Sequence, residues 1–216
     1  ELEELRSSGE MVPLFQQEFP EDDESCFLVA GDMVYDTQII ANKLKQCYKA
    51  PHNLDGFKIW HQPEKDTNYI VAIDPGMGKG SYTAITVWRF WWDKDNEYGQ
   101  HCATHHGLTV PELTAEKAKE IARLYNRAMI AGEANNHGLA VMSNLRDWHN
   151  QYRRKDIVSG QSTIVPGWLT TPRTKPFMIR ELAKMLPNLE IHDQDIVGQL
   201  RNLRHVGDNI VPVGPD

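Results

Sequence analysis

The run Tyr69-Ile70-Val71-Ala72-Ile73 is apolar throughout and stops at Asp74-Pro75-Gly76. A strand with water on one face alternates apolar and polar residues. A run without alternation suits a strand covered on both faces, as parallel strands usually are. This one segment therefore argues for a layered α/β fold. The residues that follow support it. Beyond a loop holding Gly76, Gly78 and Gly80, Tyr82 to Trp92 is rich in aromatic and β-branched residues, as strands are. Asp93-Lys94-Asp95-Asn96 is a turn signal, and Tyr98 to His105 is long enough to return antiparallel. Thr109 to Glu112 and Thr114 offer helix starts, with Ala115, Ala118, Ile121, Ala122 and Tyr125 at helical spacing up to Arg127. Ala128 to Gly132 is a second short apolar strand, ending at Glu133. Helices are then expected over Gly138 to Trp148, Lys175 to Met185 (stopped by Pro187) and Gln194 to Arg204, with a short strand at Ile157-Val158. The predicted fold class is α/β, a central mixed β-sheet flanked by α-helices.

Residues 1–35 read as an arm, with Pro13, Pro20 and the acidic run Glu21 to Glu24. Asp22 or Asp23 could cap a short helix holding Cys26, Phe27 and Leu28. A second short helix is expected over 37–49, with Pro51 just beyond it. The domain proper then spans 36–216. A length of 216 residues fits one domain with or without such an arm. No run of 18 apolar residues exists, which excludes a helical membrane span. The N-terminus has no secretory pattern, and a chain beginning without Met is what a fragment of a longer protein would show. Cys26, Cys47 and Cys102 are odd in number and far apart. Without a CxxC pair they support neither a zinc knuckle nor a disulfide framework, so a reducing intracellular setting is the simpler reading.

Asp74 and Glu133 each follow an apolar strand, and a helix lies before the second. Such a crossover makes strands parallel, so their carboxyl ends share one edge of the sheet. If the two strands are neighbours, the acids stand about 4.8 Å apart. Two carboxylates at that spacing repel unless a cation lies between them. Mg²⁺ and Mn²⁺ take such oxygen ligands at roughly 2.1 Å. Two such ions activate a water and stabilise a leaving oxygen in phosphodiester hydrolysis. The bland alternative for each acid is the end of a strand or a turn cap, and spacing alone leaves several metal enzymes open. The net charge of −7 argues weakly against DNA binding, but a two-metal nuclease concentrates carboxylates by necessity.

The order of elements, three strands, a helix and a fourth strand with an acid, resembles the RNase H-like nuclease fold. More sharply, the chain resembles the C-terminal nuclease domain of large terminase subunits from tailed bacteriophages. The matching pieces are Asp74-Pro-Gly-Met-Gly-Lys-Gly-Ser-Tyr82-Thr83-Ala84, Tyr125-Asn126-Arg127-Ala128 and Glu133-Ala-Asn135-Asn136-His137-Gly138. They continue with Gly167-Trp168-Leu-Thr170-Thr171, Thr174-Lys175-Pro176 and Ile191-His-Asp193-Gln-Asp195-Ile196-Val197. Gln17-Glu18-Phe19-Pro20 followed by Cys26-Phe27 resembles the family's segment between its ATPase and nuclease domains. The resemblance implies a metal-dependent endonuclease that cuts double-stranded concatemeric viral DNA during genome packaging. It implies two divalent ions, Mg²⁺ or Mn²⁺, held by three acids. Asp74 matches the first acid and Glu133 the second. Asp216 is the best match to the third, with Pro215 where the family often has His; Asp193, Asp195 and Asp208 are rivals. The implied partners are double-stranded DNA and, in the full-length protein, an ATPase domain, a small terminase subunit and the portal or procapsid. The implied location is the host cell cytoplasm. Alternatives are another RNase H-like nuclease, of resolvase or transposase type, or a non-catalytic docking module of a packaging motor.

No Walker A pattern occurs. Gly76-Met-Gly78-Lys79-Gly80-Ser81 lacks its spacing and reads as a flexible turn, so an ATPase domain is not expected here. Lys79, Arg153, Arg154, Arg173 and Lys175 are the candidate DNA contacts, able to position phosphates without reading sequence. His101, His105 and His106 read as structural rather than ligating. Asn135 or Asn136 could cap the helix beginning near Gly138. Trp88, Trp91 and Trp92 read as core.

Overall fold

A computed structural model describes residues 33–213 except 79, 136–137, 156–161 and 208. The arm expected over residues 1–35, with its short helix, lies outside the described residues apart from its last three. The strand expected at Ile157-Val158 lies outside them too. The chain divides into two compact units, Lys49–Glu190 and the described parts of Glu1–Tyr48 with Ile191–Asp216.

The larger unit is built on the apolar run at Tyr69, which forms β3 (Tyr69–Asp74). It follows a hairpin of β1 (His52–Leu54) and β2 (Phe57–Ile59). Asp55 and Gly56, both at positive φ, make the two-residue turn between them. β4 (Thr83–Asp93) and β5 (Asn96–Gly107) form a long hairpin, and β6 (Met129–Gly132) follows helix α1 (Pro111–Leu124). Two further helices of this unit are α2 (Gly138–Asn144) and α3 (Thr174–Met185). Further along, β7 (Arg153–Lys155) pairs with β8 (Ser162–Pro166), and β9 (Leu189–Glu190) joins β5 in parallel. Among the described residues the main sheet runs β1-β2-β5-β4-β3-β6. β3 and β6 are parallel neighbours, while β4 is antiparallel to β3.

One face of this sheet is dry. Tyr69, Val71 and Ile73 of β3, Ile85 and Val87 of β4, Ala103 of β5 and Ile130 of β6 cluster with Ala115, Ala118, Ile121 and Ala122 of α1. The small alanines let the helix lie close to the strands. Trp148 is buried in the same cluster, with Arg123 and Arg127 over its ring. α2 stops at Asn144, short of the helix expected to reach Trp148.

In the smaller unit, α4 (Thr37–Lys45) is capped by Asp36, whose carboxylate accepts from the Ile39 amide. It packs on α5 (Gln194–Asn202). The expected helix to Arg204 ends two residues early, because Leu203 begins the hairpin of β10 (Leu203–Val206) and β11 (Asn209–Pro212). Among the described residues no helix is long and apolar enough to cross a membrane.

Candidate active site

The parallel pairing of β3 and β6 sets Ile73 opposite Gly132, so Asp74 and Glu133 leave the sheet side by side. The Glu133 amide donates to the Ile73 carbonyl at 3.0 Å, which extends the ladder one residue past β6. The Asp74 carboxyl is raised from its ordinary value first by burial, then by the Glu133 charge and by a hydrogen bond with the Glu133 side chain. Asp74 as a residue is exposed at the sheet edge. Its carboxyl group is nonetheless hemmed in enough for desolvation to lead.

Three local features hold this pair. The first is the loop after β3. A Cβ at Gly76 would sit 2.5 Å from the Ser81 carbonyl oxygen and 2.6 Å from that of Tyr82, so only glycine lets the loop fold back this tightly. The Gly76 amide donates to the buried Thr83 hydroxyl, and the Met77 amide donates to the Ser81 hydroxyl, each at 2.9 Å. The second is the start of α2: a Cβ at Gly138 would overlap the Glu133 carbonyl. The third is the segment at Gly167-Trp168. Trp168 bridges to Glu133 in parallel, donating from its amide to the Gly132 carbonyl at 2.8 Å and accepting from the Ala134 amide at 2.6 Å. Gly167 takes φ +85°, and a Cβ there would lie 2.9 Å from the Gly132 carbonyl oxygen.

Asn135 is not a side-chain cap of α2. Its amide nitrogen donates to Glu133 Oε1 and to the Thr170 carbonyl, each at 2.9 Å. Thr170 leads into the reciprocal hydrogen bonds of Thr171 and Thr174 at the start of α3. Arg173 and Lys175, both exposed, flank that start, so the chain carrying them begins one hydrogen bond from the Asn135 that holds Glu133. Arg153 and Arg154 lie on β7; Arg153 bridges to Gly167 and is exposed. Asn136, Lys79, Asp208 and Asp216 lie outside the described residues. Asp193 belongs to the smaller unit, where it caps α5 by accepting from the Asp195 amide at 3.0 Å.

The histidines divide. His101 is fully buried with Trp60 and Trp88 both 5.0 Å from its ring, and its Nε2 is 2.6 Å from the Thr104 hydroxyl. His105 Nδ1 is 3.0 Å from the Gly56 carbonyl, and burial lowers its pKa. Both are structural. His106 is exposed and packs against Tyr82. The tryptophans divide as well. Trp88 is half-buried beside His101, but Trp91 and Trp92 are 37% and 68% exposed, contrary to the expectation of core. They pair with β5 where β4 and β5 run on past β3, so among the described residues no strand lies beside them on the β3 side.

A sheet of order β2-β5-β4-β3-β6, with an antiparallel hairpin on one side of β3 and a parallel strand on the other, and acids at the ends of β3 and β6, is the RNase H-like fold. No protein-family model and no characterised protein sequence matches the chain, but solved structures do. The chain is similar to the large terminase nuclease from thermophilic phage G20c with bound magnesium. The TM-score is 0.62 at 17% identity, over 87% of this chain and 91% of that one. It is similar to the cobalt-bound form of that nuclease at 0.60 and 17%, covering 85% and 88%. The Thermus phage P74-26 large terminase nuclease domain matches at 0.54 and 15%, covering 80% and 83%. At these identities the likeness is one of fold.

Proposed function

We propose that the protein is a metal-dependent endonuclease that cuts double-stranded viral DNA during genome packaging. The observation that carries this reading is the placement of Asp74 beside Glu133 at the carboxyl ends of two parallel strands. Neighbours of the same fold are terminase nucleases solved with magnesium or cobalt, which supports the choice of chemistry.

The donor set fits hard divalent cations. Two carboxyl groups crowd a site where one is already pushed toward its protonated form, so a cation in place of the proton relieves their repulsion. Asn135 keeps one Glu133 oxygen engaged and leaves the other for a ligand. Asp74, Glu133 and Asp216 would hold two ions, Mg²⁺ or Mn²⁺. Bound ions would supply an activated water and neutralise charge on the departing oxygen of the phosphodiester. Lys79, Arg153, Arg154, Arg173 and Lys175 would hold the flanking phosphates. In a longer protein, residues 1–35 would be the arm after an ATPase domain and 36–216 the nuclease, working with a small terminase subunit and a portal in the host cytoplasm.

The test is Mn²⁺-dependent nicking of plasmid. Wild type is expected to convert supercoiled to open and linear forms with Mn²⁺ and not with EDTA, while Asp74→Asn leaves it supercoiled. Equal nicking by that variant would sink the assignment.

A further inference from the structure

The register of the sheet places another pair of side chains beside the acids. Asp74 pairs with Ala84, and Ala84 pairs with His106. Directly opposed residues share a sheet face, so Glu133, Asp74, Ala84 and His106 form one row on the face away from α1. Two strand spacings separate Asp74 from His106, about 10 Å. Ala84 between them is small and leaves the row open.

His106 does not stand alone. The Tyr82 ring lies 4.7 Å from it, tilted by 33°. Tyr82 is 53% exposed, yet its backbone is fixed. The Gly76 contact presses the Asp74 loop onto the Ser81 and Tyr82 carbonyls, and the buried Thr83 hydroxyl that accepts from Gly76 also donates to the Thr109 carbonyl. The same loop therefore sets Asp74 and Tyr82. Two polar-tipped rings are held in mutual contact, open to solvent, at a fixed distance from the acids. Neither ring is needed for the core.

Resting on the nuclease reading, we infer that Tyr82 and His106 form a contact for the DNA backbone a few nucleotides from the phosphate that is cut. A span of about 10 Å is roughly three base-pair rises along one strand of a duplex. A phosphate or sugar that close to the cut lies over the pair when the scissile phosphate lies over the acids. The Tyr82 hydroxyl and a His106 ring N–H are donors suited to phosphate oxygens, and such contacts position the strand without reading its sequence. The pair keeps the duplex in register at a site whose own residues are anionic.

The test compares Tyr82→Ala, His106→Ala and Asp74→Asn in the whole chain. The readouts are Mn²⁺ binding by calorimetry and cleavage of a duplex by initial rates. Each alanine variant is expected to raise KM for duplex about tenfold, with kcat within about twofold and the Mn²⁺ affinity of wild type. Tyr82→Phe, which keeps the ring against His106, is expected to recover part of the loss. Alanine variants that bind Mn²⁺ and cut with wild-type KM, while Asp74→Asn is dead, overturn this inference alone. Alanine variants that lose Mn²⁺ binding also overturn it, since the pair would then serve the metal site. A wild-type chain that neither binds Mn²⁺ nor cuts DNA overturns the nuclease reading and this inference together.

Discussion

The two faces of the sheet are built from the same strands and do opposite work. Toward α1, alternate residues of β3, β4, β5 and β6 are apolar and almost wholly buried, from Val71, Ile85, Val87, Ala103 and Ile130 at 0% to Ile73 at 4%. The residues between them face the other way. There Ala131, Ala72 and Thr86 form a row of small, half-buried side chains, and Glu133, Asp74, Ala84 and His106 form the next. The strand period of two makes the faces independent in composition. It does not make them independent in position. The layer packed on α1 sets the Cα atoms that carry the acids as a whole, so no single dry-face side chain places them, and the chemistry stays on the wet face.

The largest expected effects separate the faces. Asp74→Asn should lower Mn²⁺-dependent cleavage by about 10³-fold or more. It should also raise the Tm of the metal-free chain, because it removes one of two crowded carboxylates. Ile85→Ala, on the dry face one residue from Ala84, should do the reverse. It should cost about 3 kcal/mol in denaturant unfolding and leave Mn²⁺ affinity at 25 °C as in wild type. A variant of Ile85 that loses metal affinity while still folded would break the division of labour.

How much of this could be read in the sequence follows the same division. Strands β3 to β6 and helix α1 were legible, because an unbroken apolar run, a β-branched run and a 3.6-residue period each reflect burial against a neighbour; β3, however, is fully buried on one face only, not on both as its run suggests. The parallel pairing of β3 and β6 was legible only as a condition, and Asp74 and Glu133 with it, since pairing is a tertiary fact. The β1–β2 hairpin was missed although Asp55-Gly56 is the usual two-residue turn signal; its strands are three residues long and β1 is exposed, so no periodicity pointed to them. Trp91 and Trp92 misled because β-propensity says nothing about where a neighbouring strand stops. The role of Asn135 was hidden for a different reason. An Asn before a helix resembles a cap, and only the arrival of Thr170 from 35 residues away gives its amide another partner.

A middle-sized effect tests the coupling between that distant segment and the acids. Gly167→Ala meets two costs: a side chain at φ +85°, and a Cβ at 2.9 Å from both the Gly132 carbonyl oxygen and the Ala134 Cβ. A loss of about 1–3 kcal/mol is expected. Because Trp168 pairs with Glu133, the shift should also weaken Mn²⁺ binding, by calorimetry, several-fold more than Ile85→Ala does. Equal metal affinity in the two variants would mean that the Gly167-Trp168 segment supports the sheet but not the acid pair.

The smallest effect is a titration. A carboxyl whose folded pKa lies above its ordinary 3.8 favours the folded state when protonated. Its contribution is full below 3.8 and is lost as pH rises through the raised value. The metal-free chain should therefore lose stability over that interval, and saturating Mn²⁺ should offset the loss because the ion needs the ionised form. Metal affinity should fall in turn as pH drops through the same interval. Burial is the leading cause of the shift, and Glu133 supplies the other two. Glu133→Gln removes the neighbouring charge and changes the hydrogen bond but leaves the desolvation. In metal-free protein the Asp74 midpoint, followed by carboxyl NMR, should move down toward 3.8 without reaching it. A midpoint that falls all the way to 3.8 would make the neighbour, not the sheet edge, the reason Asp74 holds its proton. A midpoint that does not move would mean that the two side chains are not in contact in solution, and the placement of both acids by the dry face would fail with it.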